Sequence, residues 1–240
     1  MAGRESNKKE KGSLYVVATP IGNLEDLTLR ALRILKEVAI IACEDTRQTL
    51  KLLQRYGLKK KLLSYYQPRE NQKIPQIMNL LQEGKDVALV SDSGTPGLSD
   101  PGYRLIREAI REGIRIIPIP GASALTAALS ASGLPTHRFL FIGFPPPKQE
   151  AVKRLLLSLK NEEATLIFYL PTRKIESFLW QVEEVMGNRQ VVIAREMTKV
   201  FEEFIRGEAK ELAEKLGKKK LKGEATLVVQ GFKAKKRPFF

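Results

Sequence analysis

The sequence contains little of what disulfide or zinc chemistry requires. Among its 240 residues there is one cysteine, Cys43, and one histidine, His137. A single cysteine excludes an internal disulfide framework and indicates a reducing compartment. One cysteine with one histidine also excludes zinc sites built from these two residue types. Magnesium held by carboxylates alone is left open.

The sequence also lacks a secretory leader and a continuous apolar span. Its first 13 residues, MAGRESNKKEKGS, are polar and contain no apolar segment. The longest uncharged stretch, Ile116–Thr136, is interrupted by three prolines and two glycines, so it is not one apolar helix. We therefore expect a cytoplasmic protein with no membrane partner.

Negative charge is in short supply, because 41 Lys and Arg face 27 Asp and Glu, a formal net charge of +14. Such an excess of positive charge indicates what the protein binds and not how it folds, and it favours nucleic acid as the binding partner. A Lys-rich thermophilic surface is the alternative, although Glu does not rise with Lys here. The run Lys218–Lys222 is either a solvated loop or a phosphate-contacting loop.

Apolar β-rich runs alternate with helical patterns along the chain. This alternation predicts an α/β protein with a largely parallel first sheet, and the segments after Val200 predict further sheet of antiparallel character. A helix opening near Asp26 would place Leu29, Leu32 and Leu35 on one buried stripe. The Pro- and Gly-containing stretch at 118–121 divides two consecutive α/β domains. The predicted limits are a disordered basic arm at 1–13, domains at 14–120 and 121–233, and a basic tail at 234–240.

Three glycine- and proline-containing loops follow predicted buried strands, at Ala18–Asn23, Ser91–Gly102 and Pro118–Ala124. The carboxyl ends of strands are where open α/β sheets bind ligands. Glycine allows close approach of the backbone to a ligand, and proline stiffens the loop. Neither the dinucleotide fingerprint nor the P-loop motif is present, so a nucleoside ligand without phosphate is favoured over NAD or ATP.

Four motifs in this order carry a family resemblance: Thr19–Leu24, Cys43–Arg47, Ser91–Pro96 with Asp100–Gly102, and Ala194–Lys199. Together they closely resemble the tetrapyrrole methylase superfamily and, within it, the ribosomal RNA small-subunit methyltransferase I subfamily. The resemblance extends over about residues 13–232. The Glu-Asp-Thr-Arg and Ala-Arg-Glu-Met-Thr-Lys segments are its subfamily-specific parts.

The resemblance implies a two-domain methylase that binds S-adenosylmethionine, folded, in a cleft between the domains. It implies methylation of a cytidine ribose 2′-hydroxyl in the decoding region of small-subunit (16S) ribosomal RNA, and a homodimer. The cofactor contacts that it implies are Pro20, Ser93, Gly94, Thr95, Leu98, Ser123, Ala124, Leu170, Ala194, Ala225 and Thr226.

A ribose hydroxyl is a poor nucleophile, so a base is expected near it. Asp45 is the first choice and Glu44 the second, while the alternative for Asp45 is that it caps the following helix. Arg47 and Arg195 would orient phosphate, or else pair with Glu44 or Glu196. The expected RNA contacts are Arg69, Arg173, Lys174, Arg195 and Lys199. No metal ligand is assigned, since methyl transfer from a sulfonium requires none.

Other functions and structural interpretations stay open at this point. The cofactor loops also suit a methylase of a tetrapyrrole or of a modified protein side chain, and the charge also suits a ribosome-binding protein without activity. The pair Tyr65 and Tyr66 either stacks on a base or belongs to the core. His137 is expected to be solvated or structural, and Cys43 to be a small buried residue.

Overall fold

The computed structural model describes residues 10–217 and 223–233. The expected N-terminal arm up to residue 9, the run Lys218–Lys222 and the expected tail at 234–240 lie outside the described residues. The chain forms two compact units, one ending at Ser123 and the other beginning at Ala124. Over the described ranges, no helix is both long and apolar enough to cross a membrane.

The first unit holds a five-stranded sheet in the order β3-β2-β4-β1-β5. All of its neighbouring strands are parallel, as the alternating pattern predicts. Parallel strands place all five carboxyl ends, and the loops that follow them, at one edge of the sheet. The elements are β1 Ser13–Val17, α1 Leu29–Glu37, β2 Ile40–Cys43, α2 Thr46–Arg55, β3 Leu62–Ser64, α3 Glu70–Gln82, β4 Val87–Val90, α4 Tyr103–Arg111 and β5 Arg115–Ile119.

Helices cover both faces of this sheet, with α3 and α4 packed on one face and α1 and α2 on the other. Burial on both faces explains why strands such as β2 and β4 are continuous apolar runs. The expected stripe on α1 is wrong in part, because Leu29 is 86% exposed. The helix begins at Leu29 after the N-cap Thr28, and its core face is Ala31, Ile34 and Leu35. At about 100° per residue, Leu29 lies roughly opposite Ala31.

The second unit holds another five-stranded sheet, in the order β6-β7-β10-β8-β9. Only β6 and β7 are parallel, and the three remaining pairs are antiparallel, as expected for the end of the chain. Its main core lies between the sheet and α6, α7 and α8. The elements are α5 Ala124–Ser130, β6 Phe139–Gly143, α6 Gln149–Ser158, β7 Thr165–Pro171, α7 Ile175–Met186, β8 Gln190–Arg195, β9 Glu203–Glu208, α8 Ala209–Leu216 and β10 Glu224–Val229.

The structure shows the environments of Tyr65, Cys43 and His137. Tyr65 is 1% exposed and packs in the core formed with α3 and α4, so it is not a surface stacking residue. Cys43 is fully buried at the end of β2, and burial raises the pKa of its thiol to about 11, so it stays protonated. His137 lies exposed in the loop before β6.

Candidate active site

The loops that follow β1, β4 and β5 are fastened to one another at the carboxyl edge of the first sheet. Thr19 and Gly94 exchange two backbone hydrogen bonds, of 2.8 and 3.1 Å. The Thr19 hydroxyl donates to the carbonyl of Ser91 at 3.1 Å. The Thr95 hydroxyl donates to the carbonyl of Ala122 at 3.4 Å. Three loops that are far apart in sequence therefore form one surface.

Strand direction and glycine together shape this surface. After β1 the chain turns to α1 on one face of the sheet, and after β4 it turns to α4 on the other face. Adjacent strands whose connections diverge leave a crevice at their carboxyl ends, where open α/β sheets bind ligands. Gly94 has φ of +80°, a conformation that L side chains rarely adopt. A Cβ at Gly121 would lie 3.0 Å from the Cβ of Ala18, so glycine allows these loops their close approach.

The cofactor residues expected in the first unit all lie on these loops. Pro20 is buried beside Thr19, and Thr95 is partly buried. Ser93 and Leu98 are exposed, Leu98 to 46%. The set thus offers polar groups from Ser93 and Thr95 beside an accessible apolar side chain, a combination suited to a nucleoside.

The cofactor residues expected in the second unit are neighbours in its sheet. Ala225 pairs with Leu170, and Thr226 pairs with Ala194. The side chains of Leu170 and Ala225 belong to the core beneath α7, which leaves only their backbone groups for a ligand. Alternation along a strand turns Thr226 and Ala194 to the opposite face. The side chains of Leu170 and Ala225 thus face the core, and those of Thr226 and Ala194 face the other side of the sheet.

Ser123 and Ala124 stand at the division between the two units, immediately before and at the start of α5. Both are partly buried. The next residue, Leu125, donates its backbone N–H to the hydroxyl of Tyr169 at 3.1 Å, which fixes the first turn of α5 on β7. The segment is thus held in place by a contact that the sequence does not reveal.

Asp45 caps α2, so the capping interpretation is confirmed. Its Oδ1 accepts the backbone N–H of Arg47 at 2.8 Å, and its Oδ2 lies 2.7 Å from Nη2 of the same arginine. The hydrogen bonds from Arg47 lower the pKa of Asp45 to about 2. Arg47 therefore pairs with Asp45 and not with Glu44. A carboxylate of such low pKa is a weak proton acceptor.

Glu44 has the opposite electrostatic environment. Its side chain is partly buried, and burial, followed by the charges of Asp92, Asp100 and Asp45, raises its pKa above the ordinary value. The backbone N–H of Asp45 donates to Oδ1 of Asp92 at 2.9 Å, which joins the Glu44–Asp45 turn to the loop after β4. Asp92 was absent from the sequence-based site, although it lies inside the Ser91–Pro96 motif.

The cations expected to contact RNA fall into two classes. Arg195 pairs with Glu203 at 2.9 Å, and not with Glu196, while Lys199 pairs with Glu196 at 3.1 Å. Within the ranges that the structure covers, Arg69, Arg173 and Lys174 form no ion pair. Arg69 lies 5.9 Å from the ring centroid of Tyr66. Arg173 and Lys174 form the turn between β7 and α7. The second class keeps its full positive charge available.

The Ala194–Lys199 motif adopts an unusual backbone after β8. Glu196 and Thr198 have φ of 47° and 65°, in the left-handed region that non-glycine residues seldom occupy. The Glu196 carboxylate accepts the backbone N–H of Glu224 at 3.3 Å, and a Cβ at Gly223 would collide with it. The motif thus ties the end of β8 to the start of β10.

Within residues 10–217 and 223–233, no three or more His, Cys, Asp or Glu side chains are grouped so that they could hold a metal ion.

Comparison with known sequences identifies relatives across nearly the whole chain. A family model described as tetrapyrrole (corrin/porphyrin) methylases matches residues 13–213. A protein of Thermotoga maritima named ribosomal RNA small subunit methyltransferase I is 48% identical over 92% of this chain and 99% of its own length. Proteins of the same name from Halalkalibacterium halodurans and Escherichia coli O157:H7 are 48% and 44% identical, over 96% and 98% of this chain and 80% and 83% of their own lengths.

Solved structures with the same fold share much less sequence. A cobalt precorrin-4 methyltransferase superposes with a TM-score of 0.65 at 18% identity, covering 91% of this chain and 94% of its own. A uroporphyrin-III C-methyl transferase from Thermus thermophilus, complexed with S-adenyl homocysteine, gives a TM-score of 0.62 at 20% identity, covering 91% and 97%. At these identities the comparison shows a shared fold.

Proposed function

The chain belongs to the tetrapyrrole methylase family, and we propose that it methylates the 2′-hydroxyl of a cytidine ribose in small-subunit (16S) ribosomal RNA. It is an S-adenosylmethionine-dependent methyltransferase. The assignment of an RNA substrate is supported by 48% identity to relatives named ribosomal RNA small subunit methyltransferase I, across at least 92% of this chain. The choice of cytidine follows from the resemblance of the motifs.

The cofactor supplies a methyl group on a sulfonium sulfur, and the chain supplies a surface that orients it. The fastened loops after β1, β4 and β5 fit this task, because they expose Ser93 and Leu98 while the hydrogen bonds of Thr19 and Thr95 fix the loops to one another. In-line transfer depends on alignment of the sulfur, methyl carbon and acceptor oxygen, so rigid positioning contributes much of the rate. Ser93, Gly94 and Leu98 would contact the nucleoside.

We assign the role of proton acceptor to Glu44. Transfer of the methyl group to the ribose oxygen requires loss of the hydroxyl proton, and a carboxylate of raised pKa accepts a proton more readily than one of lowered pKa. Burial and the nearby Asp92 raise the pKa of Glu44, whereas Arg47 lowers that of Asp45. Asp45 then caps α2 and positions Arg47. The sequence-based prediction that Asp45 is the base is the competing prediction.

Positive charge is proposed to hold the RNA backbone. Arg173 and Lys174, on the turn after β7, and Arg69, before α3, carry charge that no described carboxylate neutralises. Guanidinium and ammonium groups of this kind contact phosphate oxygens in nucleic-acid complexes. Arg195 and Lys199 would have to break their ion pairs with Glu203 and Glu196 before they could bind phosphate. Their expected contribution to RNA affinity is therefore smaller.

The assembly and location of the protein are also proposals. We propose a homodimer, as is usual in the superfamily that the motifs resemble, and action in the cytoplasm on RNA or on assembled small subunits. Sedimentation equilibrium of the purified protein tests the first statement, since a monomer over the micromolar range would overturn it.

Transfer of a tritiated methyl group tests the activity. The protein is incubated with labelled S-adenosylmethionine and unmethylated small subunits, naked 16S RNA or a tetrapyrrole precursor. We expect label on small subunits or on RNA, at a cytidine 2′-oxygen located by nuclease mapping. Label on the tetrapyrrole alone would replace the proposal with tetrapyrrole methylation. Absence of label from all three would favour a ribosome-binding protein without activity.

A further inference from the structure

Three aromatic rings are grouped at the carboxyl end of β6. The ring centroid of Tyr169 lies 4.9 Å from that of Phe141 and 5.5 Å from that of Phe144, both in edge-to-face geometry. Phe144, which follows the last residue of β6, is 57% exposed. A single exposed aromatic is ordinary on a protein surface, so exposure by itself carries no function. What distinguishes Phe144 is how it is held and which residues follow β6 and β7.

Phe144 is held rigidly. The pairing of β6 with β7 shifts register between Phe141 and Gly143, and Gly143 has φ of 73°, which redirects the chain just before the ring. Residues 145–147 are all proline, so the backbone that follows has little freedom. Beneath the ring, the hydroxyl of Tyr169 accepts the backbone N–H of Leu125. The exposed ring therefore lies on a fixed support.

The segments that follow β6 and β7 contain three cations. Because β6 and β7 are parallel, the loops that follow them leave the same edge of the sheet. Segment 144–148 contains Lys148 and segment 171–174 contains Arg173 and Lys174, while neither segment contains Asp or Glu. In the described part of the chain these three cations form no ion pair. At the other end of this edge, by contrast, Arg195 and Lys199 are paired with carboxylates.

A rigid exposed ring, with unpaired cations on the loops that leave the same edge of the sheet, is the combination that binds an unpaired nucleotide. Single-stranded RNA is recognised by stacking of splayed bases on aromatic side chains, with basic residues on the backbone. We propose that Phe144 is a stacking platform for an unpaired base of the RNA substrate, with Arg173 and Lys174 on the adjoining phosphates. The proposal rests on the RNA methyltransferase function and adds the residue that recognises a base.

The test compares Phe144→Leu, Phe144→Trp and Phe139→Leu in the full chain. Phe139, at the opposite end of β6 and 46% exposed, is the matched control for loss of an exposed ring. KM and kcat are measured with unmethylated small subunits, RNA affinity by anisotropy of a fluorescein-labelled hairpin of the decoding-region sequence, and cofactor affinity by calorimetry with S-adenosylhomocysteine. Circular dichroism verifies that each variant is folded.

We expect Phe144→Leu to raise KM and the hairpin Kd about tenfold, since stacking on an aromatic ring contributes on that order, with kcat and cofactor affinity unchanged. Phe144→Trp keeps a stacking surface and should remain within about twofold of the parent protein. Phe139→Leu should also match the parent.

Several results would overturn the platform. These are an unchanged KM in Phe144→Leu, an equal loss in Phe144→Trp or Phe139→Leu, a loss of cofactor affinity, and dissociation of a dimer into monomers by Phe144→Leu. If the parent protein and Phe144→Leu methylate subunits equally well, the stacking platform is refuted and the proposed function is not. A parent protein that transfers no methyl group refutes the proposed function itself.

Discussion

The backbone N–H of Asp45 donates a hydrogen bond of 2.9 Å to Oδ1 of Asp92, a residue 47 positions further along the chain. This bond connects the turn after β2 with the glycine-containing loop after β4. It also brings the charge of Asp92 near Glu44, whose pKa is raised by burial and then by Asp92. The turn that carries the proposed base and the loop that carries the proposed cofactor contacts are therefore one mechanical and electrostatic unit.

Neutralising Glu44 should lower the rate of methyl transfer more than neutralising Asp45. Glu44→Gln should lower kcat by about 10²–10⁴-fold, the usual contribution of a general base, without changing the Kd of S-adenosylhomocysteine. Asp45→Asn keeps an N-cap side chain and should lower kcat by less than about tenfold. Single-turnover methyl transfer and calorimetry provide the measurements. If Asp45→Asn loses as much activity as Glu44→Gln, Asp45 regains the role of base.

The pH dependence of methyl transfer should report Glu44. A base acts when deprotonated, so kcat/KM should fall as pH drops through the raised pKa of Glu44. Asp92→Asn removes one negative charge that raises this pKa but keeps an oxygen that accepts the Asp45 N–H, so the acidic limb should move to lower pH. The profile of each protein is measured on the same RNA. An acidic limb that stays in place or moves upward would contradict the coupling.

Gly57, which lies outside the cofactor loop, is a matched control for a substitution at Gly94. Both have positive φ, of 80° at Gly94 and 65° at Gly57, so alanine at either position should destabilise the fold by about 1–2 kcal/mol. Only Gly94→Ala disturbs the loop that pairs with Thr19, and we expect it to weaken S-adenosylhomocysteine binding about tenfold. Denaturant unfolding and calorimetry measure the two effects. Equal cofactor affinity in both variants would remove Gly94 from the site.

Arg189 should be the most sensitive arginine for stability in the second unit. It is 8% exposed, and its guanidinium donates to the carbonyls of Met186, Gln230 and Lys160 at 3.2, 3.0 and 2.6 Å. Arg189→Ala removes the donor from one buried and two partly buried hydrogen bonds and leaves a cavity, so it should lower the free energy of unfolding by about 3 kcal/mol.

The control for this prediction is Arg138→Ala. The side chain of Arg138 is 64% exposed and lies 3.6 Å from Glu163. Its removal should change the free energy of unfolding by less than about 0.5 kcal/mol, as measured in urea. A smaller effect at Arg189 than at Arg138 would contradict the account of the buried network.

Comparison of Lys174→Ala with Lys153→Ala distinguishes the loss of a phosphate contact from a general loss of positive charge. Each alanine variant removes one positive charge, but Lys153 is paired with Glu184. Lys174→Ala should weaken RNA binding and reduce the slope of log K against log salt by about 0.7, the value for one contact to a single strand. Anisotropy titrations over a range of KCl concentrations provide the slopes. Identical slopes in the two variants would mean that only diffuse charge attracts the RNA.

Much of the fold could be predicted because its signals are local. The loops after β1, β4 and β5 lie at one edge of the sheet, as the alternation of strands and helices predicts. The start of α3 at Glu70 depends on contacts that local signals in the sequence do not specify. Glu70 is buried, accepts the N–H of Gly102 and pairs with Arg104, and these contacts come from distant sequence.

The sequence by itself determined the two α/β units, the family and the loops that present the proposed cofactor contacts, because apolar periodicity and glycine or proline positions act over a few residues. The tertiary structure decided the difference between Glu44 and Asp45, the core positions of Leu170 and Ala225, and the rigid support of Phe144. Each of these depends on burial, on charges or on rings brought together from separate strands. Such quantities are set by distances in space, which spacing along the chain does not specify.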